Sequence, residues 1–234
     1  MQKMRCPLSL LMEINKVIMK NIAIIGAGGF GREVKTLIDD INNVRPFYNF
    51  IGYYDDGREK GTDINGFPVL GNIDALNNLN QELEIVLGIG DPTTKERIIL
   101  KTSNPKVTFP ILIHPSVIIS RDFVTIKEGT IICAGCILTC NINIGAFVTL
   151  NLMCTVGHDT IIDVFASFMP SVNISGEVII HKKVYVGTGA KIINQLEIGE
   201  ESIIGAGAVV SRSIPAFCTA VGIPAKPIKF HQNE

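Results

Sequence analysis

Apolar residues in the second half of this chain return every six positions. Counting from Ile126, the first place of each hexapeptide is filled by Ile126, Ile132, Leu138, Ile144, Leu150, Val156, Ile162, Phe168, Ile174, Ile180, Val186, Ile192, Ile198 and Ile204. The fifth place, from Thr130 through Cys136, Ile142 and Val148 to Ala208, is always small or apolar. Fourteen repeats therefore pass without a charge at either place. A period of six fits neither the 3.6 of a helix nor the 2.0 of a lone strand. It fits a short strand and a corner, repeated, as in a parallel β-helix. Three hexapeptides make one triangular coil, so this run predicts a little under five coils. The first and fifth places then face inward and stack into one apolar column, where an unpaired charge would cost several kcal/mol. Glycine at the second place, as in Gly145, Gly157, Gly187, Gly199 and Gly205, marks the expected tight corners.

The first half carries a different rhythm. Ile22–Ile25 is a buried strand, followed by Gly26-Ala27-Gly28-Gly29-Phe30-Gly31, which opens a helix over Arg32–Asp40. This G-x-G-x-x-G turn lies between strand and helix, where backbone N–H groups can receive a phosphate. A second strand, Phe50–Tyr54, ends at Asp55-Asp56-Gly57, and a third, Glu84–Ile89, ends at Gly90-Asp91-Pro92 ahead of a helix over Thr93–Lys101. Val107–Ile113 reads as a further strand. The pattern predicts β-α-β units in a small Rossmann-like domain over residues 19–113. The β-helix is expected over 114–209 and a C-terminal tail over 210–234. A nicotinamide site needs two such halves; the segment ahead of the β-helix is too short for both, and one half suffices for the phosphates of a single nucleotide.

Composition narrows the classes. The 234 residues are 47% hydrophobic and 18% charged, with a net charge of -1, which gives no sign of a nucleic-acid or anionic-membrane partner. Residues 1–18 contain an apolar patch, Leu8–Met12, too short to span a bilayer and lacking a clear small-residue cleavage site. They are expected to be a poorly structured extension ahead of Met19, with no membrane insertion. Of the six cysteines, Cys133, Cys136 and Cys140 fall at the second, fifth and third places of their repeats, so they do not converge on one ion. Reduced thiols in a cytoplasmic protein, with no metal, are the expectation.

The candidate chemistry sits at a corner. His158 and Asp159 hold the third and fourth places of the hexapeptide that starts at Val156, and those places face outward. An imidazole there is poised to take a proton from an attacking amine or hydroxyl. A neighbouring carboxylate fixes its tautomer. No Ser or Cys lies beside His158 in the chain, so direct attack is expected rather than a covalent acyl-enzyme. His114, ahead of Pro115, reads as structural, His181 as exposed, and His231 lies in the tail.

Taken in order, the glycine turn, Tyr54-Asp55-Asp56, Gly88-Ile89-Gly90, Leu112-Ile113-His114-Pro115, the hexapeptides, Gly157-His158-Asp159 and Gly222-Ile223-Pro224-Ala225-Lys226 resemble the NeuD/PglD-type sugar acyltransferases over residues 20–229. That resemblance implies a left-handed β-helix behind the Rossmann-like domain, a homotrimer, and acetyl-CoA in a groove between subunits. It implies that Gly28, Gly29, Phe30, Asp55, Asp56 and Gly90 line a nucleotide-sugar site. Gly176 matches the family position whose backbone N–H faces the thioester oxygen, and Thr188 and Ala206 match the CoA groove. Gly222 and Lys226 belong to a closing segment typical of CoA-using members. Many members carry a second His where this chain is expected to place Phe168, near the thioester. The function implied is acetyl transfer to an amine or hydroxyl of a sugar, nucleotide-linked or free, in surface-glycan synthesis. An amino-acid acetyltransferase of the serine type fits the β-helix but leaves the phosphate turn without a role. A non-catalytic nucleotide-binding scaffold has no use for the His158–Asp159 pair.

Overall fold

The computed structural model describes residues 19–120 and 123–231; the expected extension at 1–18 lies outside them. The N-terminal half is built from β1 (Lys20–Ile25), α1 (Gly29–Val44), β2 (Tyr48–Tyr54), β3 (Asp63–Ile64), β4 (Phe67–Gly71), α2 (Ile73–Asn77), β5 (Leu83–Leu87), α3 (Pro92–Lys101) and β6 (Val107–Thr108). The strands form one sheet in the order β3-β4-β2-β1-β5-β6. All pairs are parallel except the β3–β4 hairpin at the edge. That hairpin and α2 carry no strong period and were not expected from the pattern. α1 buries Val34, Leu37 and Ile38, and α3 starts at an Asp91-Pro92 signal whose Asp91 carboxylate accepts the Thr94 N–H at 2.7 Å.

The run Val107–Ile113 is two strands rather than one. Val107–Thr108 closes the α/β sheet, whereas Leu112–Ile113 is the first strand of the β-helix. Pro110, which has no N–H to give a ladder, sits in the break.

From Leu112 the chain winds as a left-handed parallel β-helix with three faces. Face one stacks Leu112–Ile113, Ile131–Ile132, Thr149–Leu150, Ser167–Phe168, Tyr185–Val186, Ile203–Ile204 and Cys218–Val221, and the antiparallel Lys226–Phe230 closes it. Face two runs from Ile118–Ile119 to Val209–Val210, and face three from Val124–Ile126 to Glu197–Ile198. Partners lie 18 residues apart, as in Ile131, Thr149, Ser167, Tyr185 and Ile203. The first and fifth places are buried as expected, with only Ile126 and Leu196 half-exposed near the ends.

The corners differ from expectation. The left-handed backbone falls at the fourth place of all fourteen repeats, from Gly129 to Gly207, and not at the second-place glycines. Most of these positions are not glycine; Asp159, at φ 56°, is one. From Phe147 onward each such residue gives its N–H to the third-place carbonyl one coil below, as Asp159 does to Cys140 O at 3.1 Å, and that bond helps hold the strained conformation. Second-place glycines serve closeness instead: a Cβ on Gly157 would lie 2.5 Å from the Gly176 nitrogen.

The α/β domain packs on face one. Leu112, Ile131 and Cys133 join its core on the α1 side, and Phe147 joins Ile98 and Leu87 on the α3 side. Phe147 stacks on Phe165 with ring centroids 5.3 Å apart.

Candidate active site

The corner between faces two and three carries the candidate chemistry. His158 Nδ1 lies 2.7 Å from Asp159 Oδ2, and the other oxygen of Asp159 accepts from Asn141 Nδ2 at 3.0 Å. Asn141 is the fourth-place residue one coil below, a partner that an 18-residue offset in the sequence would have revealed. The His158 ring first and the Asn141 amide second hold the Asp159 carboxyl below the usual carboxylate range. With Asp159 ionised, Nδ1 carries the hydrogen and Nε2 is left as the base. That side chain is 54% exposed, so the expectation of an outward corner holds.

Gly176 lies one coil above, at the same corner. A Cβ there would come within 2.5 Å of His158 Nε2 and 2.6 Å of Cε1, so the ring stands over this residue only because it is glycine. Among the described residues the Gly176 N–H donates to nothing, which leaves a fixed donor beside Nε2. Cys140 also stacks at this corner, one coil below, a neighbour that the linear reading did not find. Its carbonyl bonds Asp159, and no hydrogen bond among the described residues joins its thiol to His158. Phe168 does not line this region. It occupies a first place, 0% exposed, and fills the inner column.

A second group gathers at the corner between faces one and two. Pro170, Thr188, Ala206 and Gly222 stack there: Gly189 N donates to Pro170 O at 2.9 Å, and Gly207 N to Thr188 O at 2.8 Å. Thr188, Ala206, Gly222 and Lys226 are exposed, the last two on the hairpin of Cys218–Val221 with Lys226–Phe230. The helix that the glycine turn opens approaches the same corner. α1 presents Glu33, Leu37 and Asp40 to Ala134 and Leu152 there, and a Cβ on Gly90 would lie 3.6 Å from Met169 Cε.

Within the turn, Gly31 is demanded by packing, since its Cβ would fall 1.9 Å from Gly26 O. Around Gly28 and Gly29 there is open space, and Phe30 is half-buried against the α/β core, so the turn offers backbone to a ligand. Asp55 is committed to the protein: its oxygens accept the N–H groups of Ala27 at 2.8 Å and Gly57 at 2.9 Å. Asp56 accepts from Ile73 N at 3.0 Å through one oxygen. Both line a cavity of about 190 Å³ with Thr94, Arg97 and Lys101 of α3. Arg97 and Lys101 were missed in the sequence, although their spacing of four places them on one helical face.

His114 is structural, as expected: Nε2 meets Asp40 at 3.2 Å and Nδ1 accepts the Ser116 N–H at 3.0 Å, tying α1 to the β-helix. His181 bonds Glu197, and His231 bonds Thr219. Among the described residues no group of three or more His, Cys, Asp or Glu is placed to hold a metal. No helix there is long and apolar enough to cross a membrane.

Comparison with known proteins finds relatives that share the fold over both halves of the chain. The family model for the PglD N-terminal domain matches residues 21–102. A GDP-perosamine N-acetyltransferase from Escherichia coli O157:H7 is 30% identical over 220 residues, 90% of this chain and 97% of that protein. The chain belongs to the NeuD/PglD-type sugar acyltransferases. Among solved structures of the family, the acetyltransferase domain of PglB from Neisseria gonorrhoeae, in complex with acetyl coenzyme A, is 30% identical with a TM-score of 0.79, covering 90% of this chain and all of that one, 100%. A mutant of perosamine N-acetyltransferase from Caulobacter crescentus, in complex with CoA and GDP-perosamine, is 25% identical with a TM-score of 0.79, covering 89% of this chain and 97% of that one. Membership makes the protein an acyltransferase, and the likeness over both domains favours neither an amino-acid acetyltransferase nor a scaffold.

Proposed function

We propose that this enzyme transfers the acetyl group of acetyl-CoA to the primary amine of a nucleotide-linked amino sugar in cytoplasmic surface-glycan synthesis, with His158 as general base. The observation that carries the reading is the His158–Asp159–Asn141 chain beside the open Gly176 N–H. The amine nitrogen attacks the thioester carbon as its proton passes to His158 Nε2. The Gly176 N–H stabilises the oxyanion so formed. The C–S bond then breaks, and the thiolate takes the proton from the imidazolium. Asp159 holds the ring and balances its transient charge. Relatives named as N-acetyltransferases support an amine over a hydroxyl. The glycine turn with Gly28, Gly29 and Phe30, together with Asp56 and Gly90, would hold the nucleotide. Thr188, Ala206, Gly222 and Lys226 would line the CoA groove. Asp55 acts here by bracing the turn.

The working unit in this reading is a homotrimer. In one chain the α/β domain covers face one, and His158 stands on the corner opposite that face. A sugar anchored at the glycine turn therefore does not reach the His158 of its own chain. Threefold packing would set the His158 corner of one copy against the Thr188–Ala206 corner of the next. The test of substrate is a panel of nucleotide-linked amino sugars with acetyl-CoA, read by thiol release. Turnover with at least one amine and none with its hydroxyl counterpart is expected; acetylation of free serine but of no sugar would overturn the reading.

A further inference from the structure

Lys95 is the most deeply buried charge-bearing side chain that the acyl-transfer scheme leaves unused. It lies on the inner side of α3 at 1% exposure. Its ammonium donates to Phe147 O at 2.6 Å, Thr149 Oγ1 at 3.2 Å and Ala166 O at 3.3 Å. All three donors are thus spent on two successive coils of the β-helix. The next residue, Glu96, bonds Lys183 at 2.7 Å, and Lys183 also bonds Glu201 at 2.6 Å, one coil higher. Two adjacent residues therefore tie α3 to three successive levels of face one and its edge.

A repeating surface poses a particular problem for a domain that docks on it. Coils are about 4.8 Å apart, and apolar contacts alone discriminate poorly between neighbouring levels. Phe147 and Phe165, stacked one coil apart, offer α3 the same ring twice. The polar pair breaks that degeneracy. One coil lower, Lys95 would meet Ile131 in place of the Thr149 hydroxyl, and its amino group would lose an acceptor in a dry interface. One coil higher, Lys95 would find equivalent acceptors, among them the Ser167 hydroxyl, which is buried and bonded to nothing among the described residues. Glu96, however, would then face Glu201 in place of Lys183. Each residue forbids one direction of slip.

We propose that Lys95 and Glu96 form a register lock that sets the height of the α/β domain along the β-helix. They are positioning residues, since neither touches the reacting atoms. α3 begins two residues after Gly90, which meets Met169, so its height fixes where the nucleotide side of the site presents the acceptor. This consequence rests on the acyl-transfer reading, because a misplacement of about 1 Å can cost 10²-fold in rate. A polar group that specifies register rather than adding stability has precedent in coiled coils.

The test uses the full-length enzyme carrying Lys95→Met or Glu96→Gln, with hydrogen exchange of residues 88–98 and steady-state kinetics as readouts. Lys95→Met should keep Tm within a few degrees, because replacing a buried ion with an apolar chain of similar length is often neutral. CoA binding should remain stoichiometric and the KM for acetyl-CoA unchanged. Exchange in the first turns of α3 should rise at least about tenfold and kcat fall by a similar factor, with Glu96→Gln moving both the same way by less. Unchanged exchange in both variants overturns the lock, whatever the acceptor. Faster exchange with wild-type kcat overturns its positioning role. A wild type inactive with every nucleotide amino sugar overturns the substrate reading alone, and exchange still decides the lock. If Lys95→Met does not fold, Glu96→Gln carries the same comparison from the edge of the interface.

Discussion

The two halves of this molecule use side chains in opposite ways. In the β-helix an 18-residue translation repeats each contact, so a core position such as Ile162 has near-equivalents at Ile144 and Ile180 directly below and above it. In the α/β domain each contact occurs once: only Gly31 can pass beneath the Gly26 carbonyl. A departure from pattern therefore means different things in the two places. His158 on an exposed corner has no packing reason to be there and stands out as chemistry. A glycine in the turn at 26–31 has two possible reasons, and only the structure separates Gly31, which packing demands, from Gly28 and Gly29, which face open space.

That contrast can be broken most severely at the corner. His158→Ala should lower kcat by about 10²–10⁴ while Tm stays near wild type, since the ring buries nothing of the column. Asp159→Asn should cost less, because Asn tolerates the left-handed backbone and can still position the ring. A large fall in Tm for either variant would place the corner among the structural elements and remove the contrast.

The glycine turn sharpens it from the other side. Gly31→Ala should destabilise the protein by about 1–3 kcal/mol, since backbone oxygen blocks the new methyl group. Gly28→Ala should leave stability almost unchanged and weaken nucleotide affinity instead. Chemical denaturation and nucleotide titration of the two variants separate these outcomes; equal losses of stability would show that the open space at Gly28 is structural.

The effect at the boundary between the halves shows only against pH. Burial pushes the Lys95 ammonium down to about 7, against the opposing pull of Asp91 on the same helix. Its partners across the interface are neutral, and the charges of Glu96, Lys183 and Glu201 pair with one another beside it. Between about 7 and the ordinary lysine value of 10.5 the unfolded chain holds the extra proton. Stability should therefore rise with pH through that window and reach a floor below it. Tm measured from pH 6.5 to 9.5 should climb in the wild type more steeply than in Lys95→Met; parallel profiles would show that Lys95 is not the group responsible.

How much of this was legible follows from the same contrast. The hexapeptide frame placed Ile132, Cys136 and their equivalents inward and His158 outward, because a period carried through fourteen repeats admits one register. It did not locate the left-handed residue, since Phe147, Met153 and Lys183 carry no composition signal for positive φ; hydrogen bonding to the coil below holds them there. Asn141 and Cys140 were hidden because their nearness to His158 is across coils. The hairpin at Asp63–Gly71 and the break at Pro110 depend on single local choices that no period announces. The committed carboxylate of Asp55 was likewise invisible, for its partners Ala27 and Gly57 offer only backbone.

The central claim is that the two corners, in different copies of the chain, make one site. Two inactive variants test it directly: His158→Ala, which keeps the nucleotide side, and Gly29→Trp, which fills the open turn but keeps the catalytic corner. Each alone should be nearly inactive. Co-assembled at equal ratio into random trimers, they should recover about a quarter of the wild-type activity, because one composite site in four then draws an intact half from each neighbour. Recovery to that level is the predicted result; mixtures no more active than their components would contradict a site shared between chains.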